Sequence, residues 1–109
     1  MALTVRKHGD VTIIDLEGRL ALGGPVDEFR AKWSEVLAAG DKILILNLST
    51  VTMVDSSGIG TMIRCHSAVN AAGGKLKVIG ANGTVRKAFA VTRLDTVFEF
   101  HDTEASALA

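Results

Sequence analysis

The spacing of apolar residues switches between two periods along this chain. Near the N-terminus Leu3 and Val5 alternate with Thr4 and Arg6, and His8-Gly9-Asp10 supplies a tight turn before a second run from Val11 to Glu17. The period of two, interrupted by turn residues, predicts a hairpin of two strands. Gly18 and then Gly23-Gly24-Pro25 break that pattern. From Pro25 the period becomes helical, with Val26, Phe29, Trp33, Val36 and Leu37 on one face. Pro25 suits the start of a helix, Asp27 and Glu28 suit the positive end of its dipole, and Gly40 ends it.

Ile43 to Leu48 is nearly continuous in apolar residues, the mark of a central strand covered on both faces. A turn is expected at Ser49-Thr50, followed by Val51 and Met53-Val54. A second helix is expected from Ser57, with Ile59, Met62, Ile63, His66 and Val69 on its buried side and Gly60, Arg64, Ser67 and Ala71 opposite. Gly73-Gly74 closes it. Leu76, Val78 and Ile79 predict another buried strand, and Val85, Ala88 and Phe89 a short third helix. Val97, Phe98 and Phe100 predict a last strand, and Thr103 to Leu108 a terminal helix. Strands and helices in alternation imply βαβ crossovers, so the fold class is α/β, with a mixed sheet, an N-terminal hairpin and helices packed on it.

No Pro/Gly/Ser-rich linker, repeat or charge block divides the 109 residues, so residues 1–109 are expected to form one domain. Twelve Lys and Arg balance twelve Asp and Glu, and that balance argues against a nucleic-acid partner. Cys65 is the single cysteine and cannot form an internal disulfide, which fits a reducing compartment. The N-terminus shows no signal peptide, and the longest apolar run is too short for a membrane span. The expected location is the cytoplasm, without membrane insertion; weak homo-oligomerisation stays open.

Candidate chemistry concentrates in Val54-Asp55-Ser56-Ser57-Gly58-Ile59-Gly60, where a buried strand hands over to a helix. Two hydroxyls sit at a helix start, where free N–H groups and the dipole favour acceptors and added negative charge. A plain helix cap would use the same residue types. Two glycines in a first turn, however, cost about 1 kcal/mol each relative to alanine, which a start built for stability alone would avoid. Gly58 and Gly60 would let another backbone approach. Asp55, Ser57, Gly58, Gly60 and, one turn on, Arg64 are therefore the residues expected to meet a partner.

Asn47-Leu48-Ser49 followed by Asp55-Ser56-Ser57-Gly58-Ile59-Gly60 resembles the signature of the STAS domain, shared by sulphate transporters and anti-sigma-factor antagonists. Gly18-Arg19-Leu20, Gly73-Gly74 and Val85-Arg86-Lys87-Ala88-Phe89 extend the likeness over nearly the whole chain. The resemblance to the antagonist branch implies a protein-binding switch that sequesters an anti-sigma factor with serine kinase activity and frees a sigma factor. It implies Ser56 as the phosphorylated residue. One position departs from the family: Ala21 stands where an acidic residue is frequent. The competing implication is a constitutive STAS subunit of a membrane lipid-transport complex.

Enzymatic readings fit poorly. A nucleophile elbow needs glycine two residues before its serine, and Val54 and Asp55 occupy those positions. Gly58-Ile59-Gly60 is no dinucleotide fingerprint, because Ile63 stands where a small residue is needed. His66 has no metal-ligand partner at suitable spacing and is expected to pack, as is Cys65. No catalytic residue, cofactor or metal is expected.

Overall fold

A computed structural model describes residues 2–109. Its elements run β1 (Ala2–His8), β2 (Val11–Leu20), α1 (Gly24–Ala38), β3 (Ile43–Val54), α2 (Ser56–Ala71), β4 (Lys75–Ile79), α3 (Gly83–Val91), β5 (Glu99–His101) and α4 (Glu104–Leu108). The strands form one sheet in the order β1-β2-β3-β4-β5. β1 is antiparallel to β2, and the other pairings are parallel. This is the mixed α/β sheet with an N-terminal hairpin that the residue pattern predicts. Because consecutive parallel strands are neighbours and crossovers keep one hand, α1, α2 and α3 must cover the same face.

The two faces have separate cores. Ile14, Leu44, Leu46 and Val78 point to the side where Phe29 and Trp33 of α1, Met62 and Val69 of α2, and Phe89 of α3 pack. Ile13, Ile45 and Ile79, each one residue out of phase with those neighbours, meet Ala107 of α4 on the other side. The continuous apolar run in β3 is thus used on both faces, as central strands require. Trp33 Nε1 donates to Thr61 Oγ1 at 3.2 Å, and both residues are buried. That bond satisfies two polar atoms that would otherwise be stranded and fixes α1 against α2.

β3 differs from expectation. No turn interrupts it at Ser49-Thr50; the strand continues to Val54 with two bulges against β2. Leu48 and Ser49 together oppose Leu16, and Thr52 is the second extra residue. The polar side chains that suggest a turn repair the ladder instead. Asn47 Oδ1 accepts from the Ser49 N–H at 3.1 Å and from its hydroxyl at 2.7 Å. Thr50 Oγ1 donates to the Leu16 carbonyl at 3.1 Å, and Thr52 Oγ1 to the Gly18 carbonyl at 3.3 Å. β2 likewise runs through Gly18, at φ 94°, to Leu20. Both strands therefore end together, at Leu20 and Val54.

Two smaller differences lie near the C-terminus. Val97 and Phe98 precede the last strand rather than opening it: a single 3₁₀ turn, Leu94–Thr96, swings Phe98 into the core and leaves Val97 exposed. Phe98 then meets Phe89 and His66 edge-on at centroid distances of 5.5 and 5.2 Å, so His66 packs beside an aromatic ring. Cys65 is fully buried, and burial pushes its thiol up to about 12, as expected of a small hydrophobe.

A charged network ties α4 and β1 to the sheet. Arg6 Nη2 donates to Asp15 Oδ1 at 3.0 Å and to Glu104 Oε1 at 2.7 Å, while Asn47 Nδ2 donates to Asp15 at 2.7 Å. The Arg6 guanidinium holds the Asp15 carboxyl below its ordinary range, and His101 does the same to Glu99. A depressed folded pKa adds stability above the unfolded value, about 4, that is lost as pH falls through the folded value. Urea melts should give a plateau above about pH 5 and a decline below about pH 4. Asp15→Asn should flatten that decline, whereas an unchanged acid limb would remove the Arg6–Asp15 contact from the account.

Candidate functional site

The joint ends of β2 and β3 place the Asp55–Gly60 segment at the carboxyl edge of the sheet. Asp55 is the N-cap of α2, in extended conformation, and the helix begins at Ser56, one residue earlier than the sequence pattern suggests. Its carboxylate makes two backbone contacts. Oδ1 accepts from the Gly58 N–H at 2.8 Å, the usual capping bond, and Oδ2 accepts from the Leu22 N–H at 2.9 Å in the β2–α1 loop. These N–H groups, Leu22 first, hold the Asp55 carboxyl below the usual range. The Asp55 N–H also donates to the Leu20 carbonyl at 3.3 Å. One residue thus joins a helix start, a strand end and a loop.

Gly58 is buried, and a Cβ built on it would lie 2.3 Å from the Leu20 carbonyl oxygen. This corrects one expectation. Gly58 does not open the first turn to another protein; its missing side chain lets α2 sit down on the end of β2. Gly60 is different: a Cβ there would meet nothing within 4 Å, so the open approach expected at both glycines exists at Gly60 alone. Ser56 is exposed, Ser57 half-buried, and Arg64 exposed, as are Ser67 and Ala71.

The buried arc of α2 is Gly58, Ile59, Thr61, Met62, Cys65 and Val69. Ile63, expected inside, is 37% exposed, and His66 only half-buried. Thr61, bonded to Trp33, lies inside the arc, and Ile63, two residues on, lies at its outer edge. Ser56 also borders a mostly apolar groove of about 370 Å³ between α2 and α3, lined by Ile59, Thr84, Lys87, Ala88 and Val91 among others. Val91 is 72% exposed at one flank, and Leu22, at 78%, stands on the loop that Asp55 secures. The contribution of α3 was not evident from sequence. Its signal is Val91, an apolar residue out of phase with buried Val85 and Phe89.

The STAS domain model matches residues 2–107. The chain belongs to the STAS domain family. An anti-sigma F factor antagonist of Paenibacillus polymyxa is 25% identical over 109 residues, covering 99% of this chain and 92% of that protein. A crystal structure from Thermotoga maritima shares the fold at a TM-score of 0.91, with 23% identity over 97% of this chain and 91% of its own. The anti-sigma factor antagonist SpoIIAA in its unphosphorylated form is 25% identical, with a TM-score of 0.79 over 98% of this chain and 94% of that one. The Bacillus cell fate determinant SpoIIAA in its phosphorylated form is 26% identical, with a TM-score of 0.76 over 98% and 96%. The STAS frame thus accounts for Asp55 and Gly58, which join elements within the domain, and leaves Ser56 on its surface. Among the described residues no helix is long and apolar enough to cross a membrane, and no group of three or more His, Cys, Asp or Glu side chains could hold a metal ion.

The two glycines can be separated by stability. Gly58→Ala should lower unfolding free energy by about 2 kcal/mol or more, because a methyl group would push against backbone. Gly60→Ala should be neutral or stabilise by up to about 1 kcal/mol, since alanine is the better helix former where space is free. Urea denaturation of both variants checks this; equal effects would refute the inward placement of Gly58.

Proposed function

We propose that the protein is a cytoplasmic, non-enzymatic anti-sigma factor antagonist whose grip on an anti-sigma factor is controlled by phosphorylation of Ser56. The observation that carries this reading is the contrast between adjacent residues: Asp55 is committed to backbone bonds within the chain, while Ser56 beside it is exposed on the first turn of a long helix. In this reading the unmodified helix start, with Ser57, Gly60 and Arg64, meets the anti-sigma factor and displaces its sigma factor. Asp55 and Gly58 serve the interface indirectly, by fixing the surface that carries those residues. The anti-sigma factor is also the kinase. Ser56 Oγ attacks the γ-phosphorus of its ATP, the bond from that phosphorus to ADP breaks, and the hydroxyl proton passes to a base on the kinase.

The phosphate adds about −1.5 to −2 charge at a surface that must lose water on docking. Burying that charge without a partner costs several kcal/mol, and a net loss of about 3–4 kcal/mol lowers affinity by roughly 10²–10³. The domain itself tolerates the group, because Ser56 is exposed and Asp55, not Ser56, makes the backbone bonds that join the helix start to the loop. The alternative of a constitutive scaffold subunit needs no modification. Incubation with the cognate anti-sigma factor and ATP should add one phosphate, located at Ser56 by peptide mass spectrometry and absent from Ser56→Ala. Ser56→Glu should bind that factor at least tenfold more weakly by calorimetry, with a thermal midpoint within a few degrees of the unmodified protein. Modification at Ser57, or equal binding by Ser56→Glu, would refute the proposal.

The exposed face of α2 makes a second test. Arg64 can offer a planar fork of donors to a partner carboxylate. Arg64→Glu should reduce affinity at least tenfold while costing under about 0.5 kcal/mol of stability. Met62, two residues earlier and so on the other side of the helix, is fully buried, and Met62→Asp should unfold the domain. Titrations paired with urea melts check both; normal binding by Arg64→Glu would move recognition off this face.

A further inference from the structure

The helix start that carries Ser56 is poorly suited to hold a phosphate by itself. The Gly58 N–H is already taken by Asp55 Oδ1, and the Ser57 N–H also leans on that carboxylate. Asp55 is moreover a negative charge on the adjacent residue, at an effective range where like charges repel. The helix start thus gives a phosphate on Ser56 little neutralisation, whereas the groove shared by α2 and α3 carries a cation. Its charged lining residues are Asp55 and Lys87. Among the described residues Lys87 makes no salt bridge, and it is exposed on α3. The groove's two threonine hydroxyls are engaged with backbone: Thr84 with the Thr52 carbonyl at 3.4 Å, and Thr92 with the Ala88 carbonyl at 2.9 Å.

We propose that Lys87 is the internal partner of phosphorylated Ser56, drawing the phosphate across the mouth of the α2–α3 groove. This rests on Ser56 being the modified residue and adds a second element to the switch. In the unmodified protein the groove beside Ser56 is an apolar surface open to a partner side chain. In the phosphoprotein an ion pair spans it, so modification removes an apolar seat as well as adding charge. Lys87 then stabilises the off state, and its loss leaves the phosphate hydrated and the groove open.

The pairing is read directly from the phosphate, using full-length protein with phosphoserine placed at position 56 during translation. A nearby cation favours the dianion, so the second ionisation of the phosphate shifts down. Phosphorus NMR titration should place it about half a unit lower than in Lys87→Met, a roughly threefold change in proton affinity. Lys87→Arg should keep the shift, and about 1 M salt should abolish it. Lys32→Met, which removes the same charge from α1, should leave the titration where it is. Coincident titrations for the unsubstituted phosphoprotein and Lys87→Met, or an equal displacement by Lys32→Met, would overturn the pairing. The measurement needs no partner, so failure of the switch itself would appear in the binding calorimetry, and failure of this contact would appear here.

Discussion

The architecture around Ser56 depends on the carboxylate of Asp55. One oxygen caps α2 through Gly58, and the other secures the β2–α1 loop through Leu22. Its own N–H returns to the Leu20 carbonyl, on which Gly58 rests without a side chain between them. Neutral capping contacts contribute about 1 kcal/mol, and charge-assisted ones more. The larger effect is geometric. Two segments more than thirty residues apart, Leu20–Leu22 and Asp55–Gly58, are fixed relative to one another, and the surface residues they carry (Leu22, Ser56 and, along α2, Gly60 and Arg64) are presented on one frame.

That division of labour explains how adjacent residues can serve opposite ends. A group added at Asp55 or Gly58 would act on the fold. A group added at Ser56 would act on the surface, because Ser56 is exposed and the bonds to the loop and helix cap are made by Asp55. In the proposed switch, the energy that changes on phosphorylation therefore appears in partner binding, where water must be removed from the phosphate.

The sheet, its mixed character and the four helices were legible because long apolar runs and the change of period from two to 3.6 reflect burial directly. What escaped was set by contacts between distant segments. Ser49 and Thr50 look like turn residues, yet Ser49 bonds Asn47 within a bulged strand, and Thr50, with Thr52, reaches carbonyls on Leu16 and Gly18 more than thirty residues away. Gly58 and Gly60 are equivalent in local sequence, and only the arrival of Leu20 distinguishes them. Ile63 fits the apolar arc of α2 by type, but the buried side includes Thr61, whose partner Trp33 lies on another helix. The serine pair was legible by resemblance to a family, whereas the groove with Lys87 and Val91 required α3 to be placed beside α2.

In the proposed switch, Asp55 keeps the frame intact while Ser56 changes state. Amide hydrogen exchange at Leu22 and Gly58, compared between unmodified protein and protein phosphorylated at Ser56, tests it most directly. Both amides donate to Asp55, so equal protection is expected in the two forms, even where partner affinity differs by orders of magnitude. Loss of protection at either amide on phosphorylation would contradict it, and would mean that the modification acts by releasing the loop or the helix cap.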